Sequence, residues 1–198
     1  MKKFFLTIAI AFVAATTAFA QLGGLSVGAG YTTKNFTNGL ENEAGFYAGV
    51  NYNIALTSGI CVAPGIDFAM LNYKKDENNY QKENYIGVPV MFNYSIKVAD
   101  VLKIVPYLGP TFSLGLSSVA KGGGSIFGFT ITTGEVDMYD GTDYNKFDIL
   151  IGGGIALDIV DMIRVTFGYN QGLLNRNNDS DGSVIKTSGM NFGVAYLF

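Results

Sequence analysis

Three observations predict an all-β protein, an eight-stranded antiparallel up-and-down transmembrane β-barrel. Alternation of period two recurs in eight segments, most of them near the ten residues that a tilted strand needs to cross a bilayer. In each segment one face is aliphatic and aromatic while the other is small or neutral-polar. Short and long connections alternate, as where tight turns line one rim of a barrel and loops line the other.

The chain begins with Lys2 and Lys3, then an almost wholly apolar run from Phe4 to Val13. Ala18 and Ala20 stand before Gln21 in an Ala-x-Ala pattern. Residues 1–20 therefore read as a cleaved secretory signal peptide, and residues 21–198 as an outer-membrane β-barrel domain. The apolar run is too short for a spanning helix, and Thr16 and Thr17 interrupt it.

The first segment carries Leu25, Val27, Ala29 and Tyr31 on one face. The second sets Phe46, Ala48, Val50, Tyr52, Ile54 and Leu56 against Tyr47, Gly49, Asn51, Asn53 and Ala55. In the third, Ile60, Val62, Ile66, Phe68 and Met70 oppose Cys61, Ala63, Gly65, Asp67 and Ala69. The fourth runs from Ile86 to Ile96, with Gly87, Pro89, Met91, Asn93 and Ser95 on its second face. The fifth holds Leu108, Phe112, Leu114 and Leu116. In the sixth, Ile149, Ile151, Ile155, Leu157 and Ile159 oppose Asp148, Gly152, Gly154, Ala156 and Asp158. The seventh opposes Ile163, Val165, Phe167 and Tyr169 to Arg164, Thr166, Gly168 and Asn170. The eighth sets Met190, Phe192, Val194, Tyr196 and Phe198 against Asn191, Gly193 and Ala195.

A soluble sandwich or lipocalin-like barrel would bury the apolar face and present a face rich in Lys and Glu to water. Here the second face is Gly, Ala, Asn, Ser and Thr, which suits the crowded interior of a narrow barrel, and the apolar face suits lipid. Thr57, Ser58 and Gly59, then Val160, Asp161 and Met162, make two short turns, and residues 97–103 a modest one. The stretches 34–44, 72–84, 117–146 and 175–187 read as long polar loops. That arrangement puts both termini and the turns in the periplasm.

Composition excludes several functions. Only 15% of the 198 residues are charged, against about 25% in soluble domains. With no histidine there is no imidazole for a Ser/His or Cys/His dyad or for a metal. Net charge is −3 and no basic run exists, so nucleic acid is not a partner. The single cysteine, Cys61, excludes an internal disulfide.

Residues 85–94 (YIGVPVMFNY) resemble the tyrosine-aliphatic-proline strand of the PorT-like outer-membrane β-barrel domain family of Bacteroidota, small barrels of the OmpA/OmpX kind. Pro106, Tyr107, Leu108, Gly109 and Pro110 resemble that family's following strand. Phe147 and Asp148 with Gly152, Gly153 and Gly154 resemble its strand after the longest loop. The resemblance covers nearly all of 21–198. It implies the fold, outer-membrane lipid as solvent, and no catalytic residues. Phe198 is similar to the terminal aromatic by which such barrels are recognised, implying the barrel-assembly machinery as a partner during insertion.

Asp158 and Arg164 face the lumen across the turn at 160–162, where they read as a structural ion pair, since an unpaired buried charge is costly. Asp67 and Asp148 face inward without an assignable partner. The stretch 177–182 (NNDSDG) partly resembles the start of a calcium loop but lacks its Glu, Ser188 standing there, so it reads as a polar loop tip. Gly122, Gly123 and Gly124 lack the Lys-Ser/Thr of a phosphate loop. The triplet Gly152–Gly154 reads as room for a bulky lumen neighbour or a bend. No cofactor and no metal are expected.

The 117–146 stretch exceeds ordinary loop lengths and its 126–132 centre (IFGFTIT) alternates, which leaves two equal readings: a hairpin that extends the sheet and offers an edge for strand addition, or a loop that shields the barrel rim. The leading functional expectation is a non-enzymatic outer-membrane protein acting structurally or through an extracellular or envelope protein partner at its long loops. A small passive channel and an accessory role in protein secretion are the alternatives. Eight strands leave an interior that side chains largely fill, which disfavours a pore.

Overall fold

In a computed structural model, residues 24–37, 42–76, 79–121, 124–126, 129–131, 134–141, 144–178 and 184–198 are described. Residues 1–20, read from the sequence as a signal peptide, lie outside them, as do Gly122 and Gly123 and most of the 177–182 stretch. The chain forms β1 (Leu25–Phe36), β2 (Glu43–Tyr52), β3 (Ile54–Thr57), β4 (Ile60–Asp76), β5 (Asn79–Tyr94), β6 (Ile96–Ala99) and β7 (Leu102–Lys121). There follow β8 (Gly124–Ile126), β9 (Phe129–Ile131), β10 (Glu135–Asp137) and the one-turn helix α1 (Met138–Gly141). β11 (Phe147–Ile159), β12 (Ile163–Gly172) and β13 (Thr187–Leu197) complete it.

Every ladder is antiparallel, and the strands close in the order β1-β2-β4-β5-β7-β11-β12-β13 and back to β1. β3 continues β2 beyond Asn53, and β6 continues β5 beyond Ser95, so the wall has eight staves. At the seam Val27 pairs with Tyr196 and Tyr31 with Phe192. Closure leaves no strand edge within the wall, the condition for a sheet to sit in hydrocarbon.

Alternation sorts the side chains as lipid and a narrow lumen require. Phe46, Ile66, Phe68, Phe92, Leu108, Ile155, Phe167, Phe192 and Val194 all project outward and are exposed. Tyr52 and Tyr94 edge this belt toward the turns, and Tyr31, Phe46, Phe147 and Tyr169 edge it toward the loops, as in interfacial aromatic girdles. Beyond the loop-side girdle the outward residues turn polar: Thr33, Asn35, Asn72, Asn84, Gln171 and Ser188. The membrane-spanning part ends there.

The inner face is tight. A Cβ on Gly30 would lie 2.6 Å from the Tyr47 ring, and one on Gly154 would lie 2.8 Å from Tyr107 Oη. Glycines opposite each tyrosine thus make room for phenol rings inside the barrel. The Gly152–Gly154 triplet serves this packing, with Gly154 turned to Tyr107 and Gly153 against Leu108 on the outer side.

Strand length departs from expectation. β4, β5 and β7 have 17, 16 and 20 residues, whereas β12 has 10 and β13 has 11. The 72–84 stretch is therefore mostly strand and not a loop, and the 34–44 and 117–146 stretches are shortened by strand at their ends. A one-residue bulge at Leu116 opposite β5 lets β7 continue upward with Ser118 and Ala120 inward. The hairpin exists as β8 with β9, but it forms a separate two-stranded sheet. The strand that does extend the wall is β10, on β7.

The β11–β12 turn places Val160 and Asp161 at φ 54° and 56°, the backbone region a β-branched residue tolerates least. Val160→Gly should raise stability against urea by about 1 kcal/mol, measured on barrels folded into phospholipid vesicles. In the same assay Phe167→Arg, at mid-belt, should lower stability by about 2–4 kcal/mol.

Candidate functional site

The buried apolar cluster of this barrel sits at its loop end. Phe36 from β1 and Ala120 from β7 meet Met138 and Tyr139 of α1, Tyr144, and Ile185. The described residues of 134–141, 144–146, 173–178 and 184–186 fold inward over the mouth and form a plug. Asp137 Oδ1 accepts the Tyr139 N–H at 2.9 Å and so fixes the start of α1. Gly115 has no side chain where Tyr139 passes, and its N–H donates to Lys146 O at 2.7 Å. The second segment is tied to the first where Asn145 N–H donates to Arg176 O at 2.8 Å. Asn175 Oδ1 accepts from the amides of Asn177 and Ile185, which shapes the turn that carries Arg176.

Beneath the apolar cap lies a knot of charge. Glu83 of β5 is 0% exposed and accepts from three directions: Lys34 Nζ at 2.5 Å, Tyr139 Oη at 2.6 Å and Arg176 Nη2 at 3.1 Å. The Arg176 guanidinium also lies over the Tyr144 ring at 4.5 Å and 3.9 Å from Asp148 Oδ2. Asp148 accepts from Thr187 Oγ1 at 2.9 Å and from the Leu174 N–H at 3.3 Å. Two cations and two carboxylates thus balance in the mouth.

A third carboxyl, Glu43 of β2, is 1% exposed beside Glu83, and neither of its oxygens receives a hydrogen bond from a donor among the described residues. Burial, then the nearby Glu83 charge, pushes Glu43 up to about 8, with Lys34 and Arg176 offsetting only part. Burial would raise Glu83 too, but Lys34 and Arg176 outweigh it and hold Glu83 at about 2. At neutral pH Glu83 is an anion and Glu43 a neutral acid.

Below the knot a cavity of about 200 Å³ runs down the lumen past Tyr85, Asp67, Tyr47 and Tyr107 to Arg164. Asp67 has no cationic partner among the described residues, and Asp148 has Arg176. At the turn end Asp158 and Arg164 stand opposite in register, with Nε donating to Oδ1 at 2.6 Å and Nη2 to Oδ2 at 2.8 Å. Phe198 N–H donates to Leu25 O at 2.9 Å, and its carbonyl accepts from Gly24 at 3.2 Å, so the last residue lies on the seam. Its ring packs edge-on to Tyr196 at 4.8 Å. Cys61 lies between Asn53 and Asn93 at the same end.

Sequence reasoning missed Lys34, Glu43, Glu83, Tyr139 and Arg176, because all fall in stretches read as loops. The signal was parity: Lys34, Glu43 and Glu83 each stand two residues beyond an inward position, Thr32, Gly45 and Tyr85. Removing Glu83 takes the anion from the buried Lys34 and leaves Arg176 only Asp148, at 3.9 Å. Glu83→Ala should cost about 3–5 kcal/mol in urea unfolding, well above Asn84→Ala on the outer face.

Residues 5–198 match the model of the outer membrane protein beta-barrel domain family. No curated protein sequence matches the chain. Among solved structures, Neisserial surface protein A aligns with a TM-score of 0.55 at 16% identity, over 89% of this chain and 98% of that one. Ail, the attachment invasion locus protein of Yersinia pestis, aligns at 0.52 and 13% identity, over 89% and 99%. These likenesses are of fold. The chain belongs to the outer membrane protein beta-barrel domain family, and its strands span the outer membrane.

Proposed function

We propose that this protein is a non-enzymatic surface-interaction barrel whose loop end faces the cell exterior and whose termini and turns face the periplasm. The observation that carries this reading is the raised sheet: β4, β5 and β7 continue past the lipid belt and gain β10. Among the described residues, β10 pairs with β7 alone, and β4 beyond Asn72 pairs with β5 alone. Two strand edges thus stand above the membrane, suited to an extracellular or envelope protein that adds a strand. The plug buttresses the sheet from behind through Met138, Tyr139 and Ala120.

The plug also favours interaction over passive conduction, because Glu83, Arg176 and the apolar cap fill the mouth above the cavity. The bidentate Asp158–Arg164 pair serves as a structural brace inside the lumen. Phe198, on the seam, serves as the mark read by the barrel-assembly machinery during insertion. The finer likeness to PorT-like barrels rests on residues 85–94 and 106–110, which lie in β5 and β7 of the raised sheet.

A photo-cross-linking residue placed at Glu135 on the β10 edge should give one discrete protein adduct on intact cells. The same probe at Phe167, on the lipid face, should give none. Identical patterns at the two positions would reject the interaction reading.

A further inference from the structure

Glu43 stands out among the buried groups. Opposite Lys34 in the β1–β2 ladder, its side chain is sealed in the mouth without a donor among the described residues. Among the described residues the ammonium close by is Lys34 Nζ, which is already given to Glu83 and lies over the Tyr85 ring at 5.0 Å. The groups facing Glu43 come from every element around it. β1 supplies Lys34, β5 supplies Glu83 and Tyr85, and the 173–186 segment supplies Arg176. The plug adds Tyr144, with Tyr139 bound to Glu83 behind it. β4 places Leu71 and, two residues on, Tyr73 on that side, and β11 holds Asp148 against Arg176.

With Glu43 neutral, Lys34 and Arg176 balance Glu83 and Asp148. Loss of its proton adds a third carboxylate, buried and without a donor among the described residues. A buried unpaired charge costs several kcal/mol, and hydration relieves it. At this level β1 is held by ladders to β13 and β2, while β2 begins at Glu43 and meets β4 only from Ala44. The plug has no such ladder around Arg176. Its described residues in 173–186 are joined to the wall by single bonds, Leu173 N–H to Ile149 O, Leu174 N–H to Asp148 and Lys186 with Thr37, besides the Arg176 bond to Glu83. α1, which follows β10, is held by the Tyr139 bond to Glu83 and a small apolar cap, so these isolated contacts are where water can enter. The lumen cavity begins directly under those contacts, lined there by Lys34, Asp148 and Arg176, and reaches Arg164 near the turns.

We propose that Glu43 is a proton-operated latch: protonated, it keeps the plug seated; ionised, it draws water into the mouth, unseats α1 and the Arg176 segment, and opens the lumen to small ions. This goes beyond a binding role for the raised sheet and does not depend on it. The direction follows from linkage: the folded state holds this proton more tightly than the unfolded chain, so stability falls as pH rises from 4.5 to about 8 and is level above. Opening is therefore alkaline.

The test compares wild type with Glu43→Gln, whose neutral amide cannot ionise, in planar phospholipid bilayers and by trypsin cleavage after Arg176. At pH 6 both should be closed and resist cleavage. Between pH 6 and 9 linkage raises the opening constant of wild type about a hundredfold and leaves that of Glu43→Gln unchanged, so at pH 9 wild type should conduct and its cleavage after Arg176, relative to Glu43→Gln, should be about a hundredfold faster than at pH 6. Both measurements at pH 9 are made side by side, which removes the protease's own pH dependence. Glu83→Gln, which takes the anion from Lys34 and leaves Arg176 with Asp148 alone, should speed cleavage after Arg176 at both pH values. Heat-modifiable migration on gels shows that each variant is folded. Conductance and cleavage that do not change between pH 6 and 9 in wild type overturn the proposal, as does an alkaline rise retained by Glu43→Gln.

Discussion

In hydrocarbon a backbone amide has no water to turn to, and the rest of this molecule follows from that constraint. The β1–β13 seam satisfies it by joining the first stave to the last, down to the Phe198 amide on Leu25 O. Once the ring is closed at eight staves the lumen is fixed at a width that side chains must fill. Period-two alternation then leaves little freedom. Outward positions become aliphatic or aromatic, and inward ones are small where the Tyr47 and Tyr107 rings lie over the neighbouring strands. The low charge of the chain is the price of having two surfaces that both exclude unpaired ions.

Charge is accordingly confined to places where it can be balanced. At the turn end Asp158 and Arg164 satisfy each other with two parallel bonds. At the loop end the arrangement is a network, and Glu83 is its hub, drawing together β1, α1 and the Arg176 segment, which are far apart in sequence. Such a hub converts two long connections into a lid with a defined seat. It also makes the mouth sensitive to the charge state of a single neighbour, since nothing else nearby can absorb an added anion.

Much of the wall was legible in the sequence. Eight segments with alternating faces, the outward belt, and Asp158 opposite Arg164 all follow from period two and turn position. The mouth was not legible, for a physical reason. Alternation announces a strand when one face is apolar, but above the membrane both faces of β4, β5 and β7 are wetted or packed against polar loops. Lys82, Glu83 and Asn84 therefore read as loop although their hydrogen bonding is that of the strand below. The plug was hidden more deeply, because Tyr139 and Arg176 meet Glu83 across separations of 56 and 93 residues, beyond any local pattern.

The unequal staves have a geometric consequence. A barrel of eight equal staves would look alike from every direction in the membrane plane. Here β4, β5 and β7 rise as a parapet while β12 and β13 stop near the girdle. The molecule therefore has a heading. A neighbour diffusing in the same leaflet meets a wall of backbone on one flank and a low sill of aromatic rings on the other. Rotation about the membrane normal becomes a variable that determines which of the two it meets.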